Sequence, residues 1–88
     1  MHAGFESRLL DFVQTVTTNT DINVDTDLVM NNYLDSLLLM DLVIFVESET
    51  GISLNGDEIA PQNFRTIANL ANLVNQKTDP VVQGRFAA

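Results

Sequence analysis

The sequence contains no cysteine, and histidine and tyrosine occur once each. Without cysteine, the chain has no disulfide framework, no thiolate nucleophile and no zinc site of the common kinds. Any thiol chemistry would need a thiol brought in from outside. The single histidine is His2, close to the N-terminus, so a serine–histidine nucleophilic pair is not expected. We therefore predict no catalytic residue, no metal site and no enzymatic activity.

Basic residues are also scarce, because four Lys and Arg stand against 12 Asp and Glu, for a net charge of -8. No basic residue lies between Arg8 and Arg65, whereas only Glu6 and Asp79 of the acidic residues lie outside that interval. Such a field repels nucleic acid and anionic membranes and attracts basic protein surfaces. Solubility alone is the bland alternative. We expect no nucleic-acid or membrane partner.

Long hydrophobic runs of transmembrane length are absent, and no signal peptide is recognised. A cytoplasmic location is therefore the expectation. The composition, with 45% hydrophobic and 18% charged residues, is that of a globular protein. We predict one folded domain over residues 1–76 and a flexible C-terminal tail over residues 77–88.

The longest apolar stretch runs from Leu37 to Val46 and follows two good N-cap residues, Asp35 and Ser36. Gly51 stands where a helix C-terminus belongs, so we predict a helix of about four turns. Its helical periodicity gives it two apolar sides. The broader side is expected to fill the core and contains Leu38, Leu39, Leu42, Val43, Phe45 and Val46.

The other side of this helix carries three apolar residues among polar ones: Leu37, Met40 and Ile44. An exposed apolar patch rimmed by acids indicates a partner surface. A second helix covering the patch would instead make it ordinary core. Periodicity alone leaves both interpretations open.

Apolar residues at helical spacing predict two further helices, from about Ala3 to Thr17 and from about Asn63 to Asn75. Thr66 or Asn63 can cap the second of these. A single helical turn from Asp57 to Ala60, stopped by Pro61, is expected before it. The long connection between the first two helices, residues 18–34, is expected to be pinned by buried Ile22, Val24 and Leu28.

The connection also contains the spacing Asp21-x-Asn23-x-Asp25, which invites a comparison with calcium loops. The sixth position is Thr26 where a glycine is needed, and the twelfth is Asn32 where a bidentate glutamate is needed. The pattern therefore does not predict a calcium site.

This layout, with Leu34-Asp35-Ser36-Leu37 opening the second helix and Asn63-Phe64-Arg65-Thr66-Ile67 leading into the last, resembles the acyl carrier protein family. The resemblance covers about Phe5 to Asn75. It implies an all-α fold, a four-helix bundle with a long first loop and a short third helix.

The resemblance further implies that Ser36 is the attachment point of 4'-phosphopantetheine, transferred from coenzyme A by a phosphopantetheinyl transferase. The arm's thiol would then hold acyl intermediates as thioesters, exchanged with an acyl-loading enzyme and a downstream synthase or transferase. The protein would be a monomeric, discrete carrier of fatty-acid, polyketide or related assembly, in a specialised pathway. The implied partner-recognition residues are Asp35, Leu37, Met40, Asp41, Ile44 and Glu47.

Two positions depart from the family pattern: Tyr33 stands where glycine is frequent, and Leu38 stands where a polar residue is common. Leu38 should therefore make a heavier core contact than usual. Two alternatives remain open. One is an aminoacyl or peptidyl carrier with the same chemistry, and the other is an unmodified helical interaction module in which Asp35-Ser36 only caps the helix.

Overall fold

The computed structural model describes residues 2–78, and these residues form an all-helical domain, as predicted. It contains three α-helices, α1 (His2–Thr17), α2 (Ser36–Thr50) and α3 (Ile67–Thr78). A 3₁₀ turn at Pro61–Asn63 lies between α2 and α3. The expected four-helix count is not reproduced, because this single turn is the only helical element found between α2 and α3 in the described part of the chain.

The segment before the 3₁₀ turn differs from the prediction of a helical turn from Asp57 to Ala60. Asn55 and Glu58 instead close a turn reciprocally: the backbone N–H of each donates to the side chain of the other, at 3.0 and 3.1 Å. Pro61 begins the 3₁₀ turn and does not end a helix. Proline suits a first helical position because it has no N–H to lose and its φ is preset.

The last helix begins at Ile67, four residues later than the predicted start at Asn63. Of the two candidate caps, Thr66 is used, since its Oγ1 accepts a hydrogen bond from the Asn69 N–H at 2.9 Å. The helix continues to Thr78, so residues 77 and 78 are helical and do not belong to a loose tail. The rest of the expected tail lies outside the described residues, and the domain boundary stays a prediction.

The core lies where α1 and α3 face each other, and α2 packs against α1. The core side of α2 is as predicted, with four fully buried residues and with Leu39 and Phe45 partly buried against them. The Phe45 ring stacks on Phe12 of α1 with a centroid distance of 4.4 Å. Phe64, in the linker before α3, is completely buried. The four fully buried α2 residues are Leu38, Leu42, Val43 and Val46.

The long connection between α1 and α2 is pinned as expected, with Ile22 and Leu28 buried and Val24 partly buried. Backbone hydrogen bonds join it to the α3 region: the Leu28 N–H donates to the Arg65 carbonyl at 2.7 Å, and the Ala68 N–H donates to the Val24 carbonyl at 3.0 Å. These bonds satisfy backbone groups that burial would otherwise strand. The connection is thus part of the packed structure.

The acidic stretch that was compared with calcium loops makes local turns. Asn23 Oδ1 accepts from the Asp25 N–H at 2.8 Å, and the Asn23 N–H donates to Thr26 Oγ1 at 2.9 Å. Among residues 2–78, no group of three His, Cys, Asp or Glu side chains is placed to hold a metal ion. In the same part of the chain, no helix is both long and apolar enough to cross a membrane.

Two acidic residues have pKa values that the fold lowers. The pKa of Asp27 lies below its ordinary value, chiefly because the Met30 N–H donates to its carboxylate, with Arg65 adding an ion pair at 2.9 Å. The pKa of Glu58 is lowered chiefly by a hydrogen bond from Lys77, followed by one from the Asn55 N–H. Both carboxylates therefore favour the folded state most strongly when they are ionised.

Asp27→Asn and Glu58→Gln should each flatten the acid end of the stability curve. A carboxylate whose pKa is lower in the folded state stabilises the fold above its unfolded pKa, and this contribution is lost as the pH falls through the folded value. Urea unfolding at about pH 6 and about pH 3 measures the loss in each variant. Asp11→Asn, an exposed residue, controls for net charge. Curves for the first two variants that run parallel to the parent would contradict this account.

Candidate functional site

Ser36 is the first residue of α2 and is exposed. The N-cap is Asp35, in an extended conformation, and its Oδ1 accepts the Leu38 N–H at 2.8 Å. Its carbonyl accepts the Leu39 N–H at 2.9 Å, the first bond of the helix. Of the two cap candidates in the sequence, Asp35 thus takes the role. The Ser36 hydroxyl is not used in the cap and faces solvent.

The open end of α2 suits a negatively charged group attached to Ser36. The cap uses the Leu38 N–H, which leaves the amides of Ser36 and Leu37 as the unpaired donors expected at a helix start. These donors and the positive end of the helix dipole stabilise an anion at this position. A phosphate ester on the serine oxygen would be held there without burial, so the residues present fit such a group.

Tyr33 fixes the chain just before the site. Its hydroxyl accepts a hydrogen bond from Asn19 Nδ2 at 2.7 Å, and its backbone N–H donates to the Leu28 carbonyl at 2.9 Å. Its ring packs at the edge of the core. Tyr33 therefore ties the start of the long connection to its end. Sequence reasoning noted it only as a departure from a glycine, because nothing local marks Asn19 as its partner.

The side of α2 next to Ser36 is exposed, which decides the question that periodicity left open. Leu37 is 72% exposed, Ile44 61% and Met40 50%. Within residues 2–78 no helix covers them as core. Large apolar side chains at this level of exposure form a surface patch on α2. Asp35 is exposed beside the patch and Asp41 is half-buried at its edge.

Glu47, the last of the expected recognition residues, is placed differently. It is half-buried, and its Oε2 accepts the Leu54 N–H at 2.8 Å. Its carbonyl accepts the Gly51 N–H at 2.9 Å, where Gly51 closes the helix with a φ of 76°. Glu47 therefore holds the chain that leaves α2. The sequence gives no sign of this, because a backbone N–H seven residues away carries no side-chain signature.

With this geometry in hand, comparison with known proteins gives concordant results. The phosphopantetheine attachment site family model matches residues 7–74, which include Ser36 and all of α2. A probable acyl carrier protein, PigG, of Serratia sp. (strain ATCC 39006) is 31% identical over 85 residues, covering 93% of this chain and 98% of that protein. No solved structure matches significantly.

These matches confirm the resemblance to carrier proteins. Members of the matched family are carriers and not enzymes, and they bear a covalently attached 4'-phosphopantetheine group. Both matches extend over most of the helical domain, so they do not rest on the short Asp-Ser-Leu motif alone. The chain therefore belongs to the phosphopantetheine-attachment family of carrier proteins.

Proposed function

We propose that Ser36 carries the 4'-phosphopantetheine arm and that the protein shuttles acyl intermediates, held as thioesters on that arm, between the enzymes of a fatty-acid, polyketide or related assembly pathway. The observation that carries the proposal is the exposed hydroxyl of Ser36 at the first position of α2, with the cap supplied by Asp35. The protein acts as a cytoplasmic monomer whose partners are a phosphopantetheinyl transferase, an acyl-loading enzyme and a downstream synthase or transferase.

The modification is a phosphoryl transfer in which the Ser36 oxygen bonds to the phosphorus that bears the pantetheine arm of coenzyme A. The pyrophosphate P–O bond breaks, the adenosine bisphosphate leaves, and the hydroxyl proton passes to the transferase. This chain contributes the position of the serine and donors for the new phosphodiester at the start of α2. The arm supplies the thiol that the cysteine-free sequence lacks.

The exposed side of α2 is the proposed recognition surface. Leu37, Met40 and Ile44 offer apolar contacts, and Asp35 and Asp41 offer charge to basic partner surfaces. Charged rims mainly accelerate encounter, which suits a carrier that must also leave each partner. Glu47 contributes less than expected, since its carboxylate holds the Leu54 N–H.

An aminoacyl or peptidyl carrier is the alternative within the same chemistry. The printed description of PigG, a probable acyl carrier protein, favours the acyl assignment. The alternative of another class is an unmodified helical module, which would need the exposed α2 patch but no chemistry at Ser36.

Incubation with coenzyme A, magnesium and a broad-specificity phosphopantetheinyl transferase should add one phosphopantetheine to the protein. Ser36→Ala should gain nothing, because the attachment oxygen is removed. Intact-protein mass spectrometry measures both results. Ser48→Ala, which changes another exposed serine of α2, is the matched control and should be modified like the parent.

A parent protein that stays unmodified, while a control carrier is modified in the same mixture, would favour the unmodified module. Modification of Ser36→Ala would move the attachment site elsewhere. Once the arm is in place, loading assays with acyl and aminoacyl donors separate the two carrier types.

The double variant Met40→Ala/Ile44→Ala should fold with nearly parental stability but be modified with a kcat/KM about tenfold lower. Both side chains are at least half exposed, so their loss should change the free energy of unfolding by no more than about 1 kcal/mol. Leu42→Ala, fully buried on the same helix, should cost about 2 to 5 kcal/mol. Urea unfolding and transferase kinetics give the two readouts. A large stability loss in the double variant would show that the patch is core.

Asp35→Asn should separate the cap from the charge. Asparagine caps a helix as well as aspartate does, so stability should stay near the parent, whereas Asp35→Ala should lose about 1 kcal/mol. Both variants remove the same negative charge beside Ser36 and should slow modification to a similar extent at low ionic strength. Equal kinetics for Asp35→Asn and the parent would exclude Asp35 from recognition.

A further inference from the structure

A continuous groove runs along the line where α1 and α2 face each other. It consists of three adjoining clefts of 230, 310 and 280 Å³. The first and second share Asp41, and the second and third share Phe12 and Phe45. The stacked rings of Phe12 and Phe45 form its floor. We refer to these three clefts together as the α1–α2 groove.

The groove divides the residues proposed for partner recognition. Leu37, Asp41 and Ile44 line it, whereas Met40 and Glu47 are not among its lining residues. Val16, on the α1 wall, is 43% exposed although it is apolar. An apolar surface therefore continues from α2 across to α1, beyond the single helix that the sequence indicated.

The charge along the groove is negative. Asp11, Asp41 and Glu49 line it, and Asp35 lines the end nearest Ser36. Arg8 is the one basic residue among the lining side chains, and its Nε donates to Glu49 at 2.9 Å. A complementary occupant must therefore present an apolar side chain flanked by lysine or arginine.

The groove begins at the modification site. Asp35 and Leu37, the residues on either side of Ser36, both line its first cleft. Any enzyme that reaches the Ser36 hydroxyl must cover this end of the groove. The position of the serine and the negative charge thus point to the same occupant.

We propose that the α1–α2 groove is the docking site of the transferase that modifies Ser36, and that it receives an apolar side chain flanked by basic residues of that enzyme. The inference rests on the proposed function and extends it to α1. It makes Thr15 and Val16 part of the contact surface and places Met40 at its margin.

Thr15→Lys and Ser7→Lys test the proposal as a matched pair. Both are exposed polar residues of α1, and both changes add one positive charge, but Thr15 lines the groove and Ser7 is not among the lining residues. The measurement is kcat/KM for modification by the transferase with coenzyme A, followed by intact mass. Thr15→Lys should lower kcat/KM about fivefold at low ionic strength, and Ser7→Lys less than about twofold. Added salt should narrow the difference.

Val16→Ser and Met30→Ser test the apolar contact in the same assay. Both residues are exposed and apolar, with Met30 in the long connection and 70% exposed. Only Val16→Ser should raise KM. Circular dichroism confirms that all four variants are helical before kinetics are compared.

Equal kinetics within both pairs would overturn the proposal and leave the groove to the acyl cargo or to a second copy of the chain. Sedimentation at increasing protein concentration detects the second copy. At saturating transferase every variant should still gain one phosphopantetheine. If the parent gains none, the proposed function itself fails, and that result is distinct from equal rates in modified variants.

Discussion

The backbone of Leu28 joins the long connection to the linker before α3, and the position of Ser36 depends on it. Its N–H donates to the Arg65 carbonyl, and its own carbonyl accepts the N–H groups of Tyr33 and Leu34. The side chain is buried, so these bonds form where water cannot replace them. The chain therefore enters α2 from a fixed point. A serine on an unpinned loop would present its hydroxyl in many orientations.

Several carboxylates that look alike in the sequence do different work in the fold. Asp27 receives the N–H groups of Val29 and Met30 and pairs with Arg65, while Asp35 caps α2 and Glu47 holds Leu54. Each satisfies backbone donors that would otherwise lack a partner. The acidity of the chain thus has a structural component in addition to solubility and partner attraction.

The sequence predicted α2 closely because its signals are local: Asp35 precedes the apolar run and Gly51 follows it. The region before α3 was predicted less well, since Pro61 can equally end a helix or begin a turn, and only the packing of Phe64 decides between them. Ser36 was singled out by the motif and by resemblance. The α1–α2 groove could not be foreseen, because periodicity gives the faces of each helix but not which faces meet.

The pairing of α1 with α2 also explains how an acidic surface can remain apolar enough to bind. The stacked rings of Phe12 and Phe45 use their inner faces for the core, and the side chains beside them stay partly open. Acids such as Asp11 and Asp41 lie at the edges, where water still solvates them and repulsion between them is small. A free carrier therefore bears little desolvation cost. The cost arises only when a partner covers the groove, and a basic partner offsets it by supplying the counter-charge.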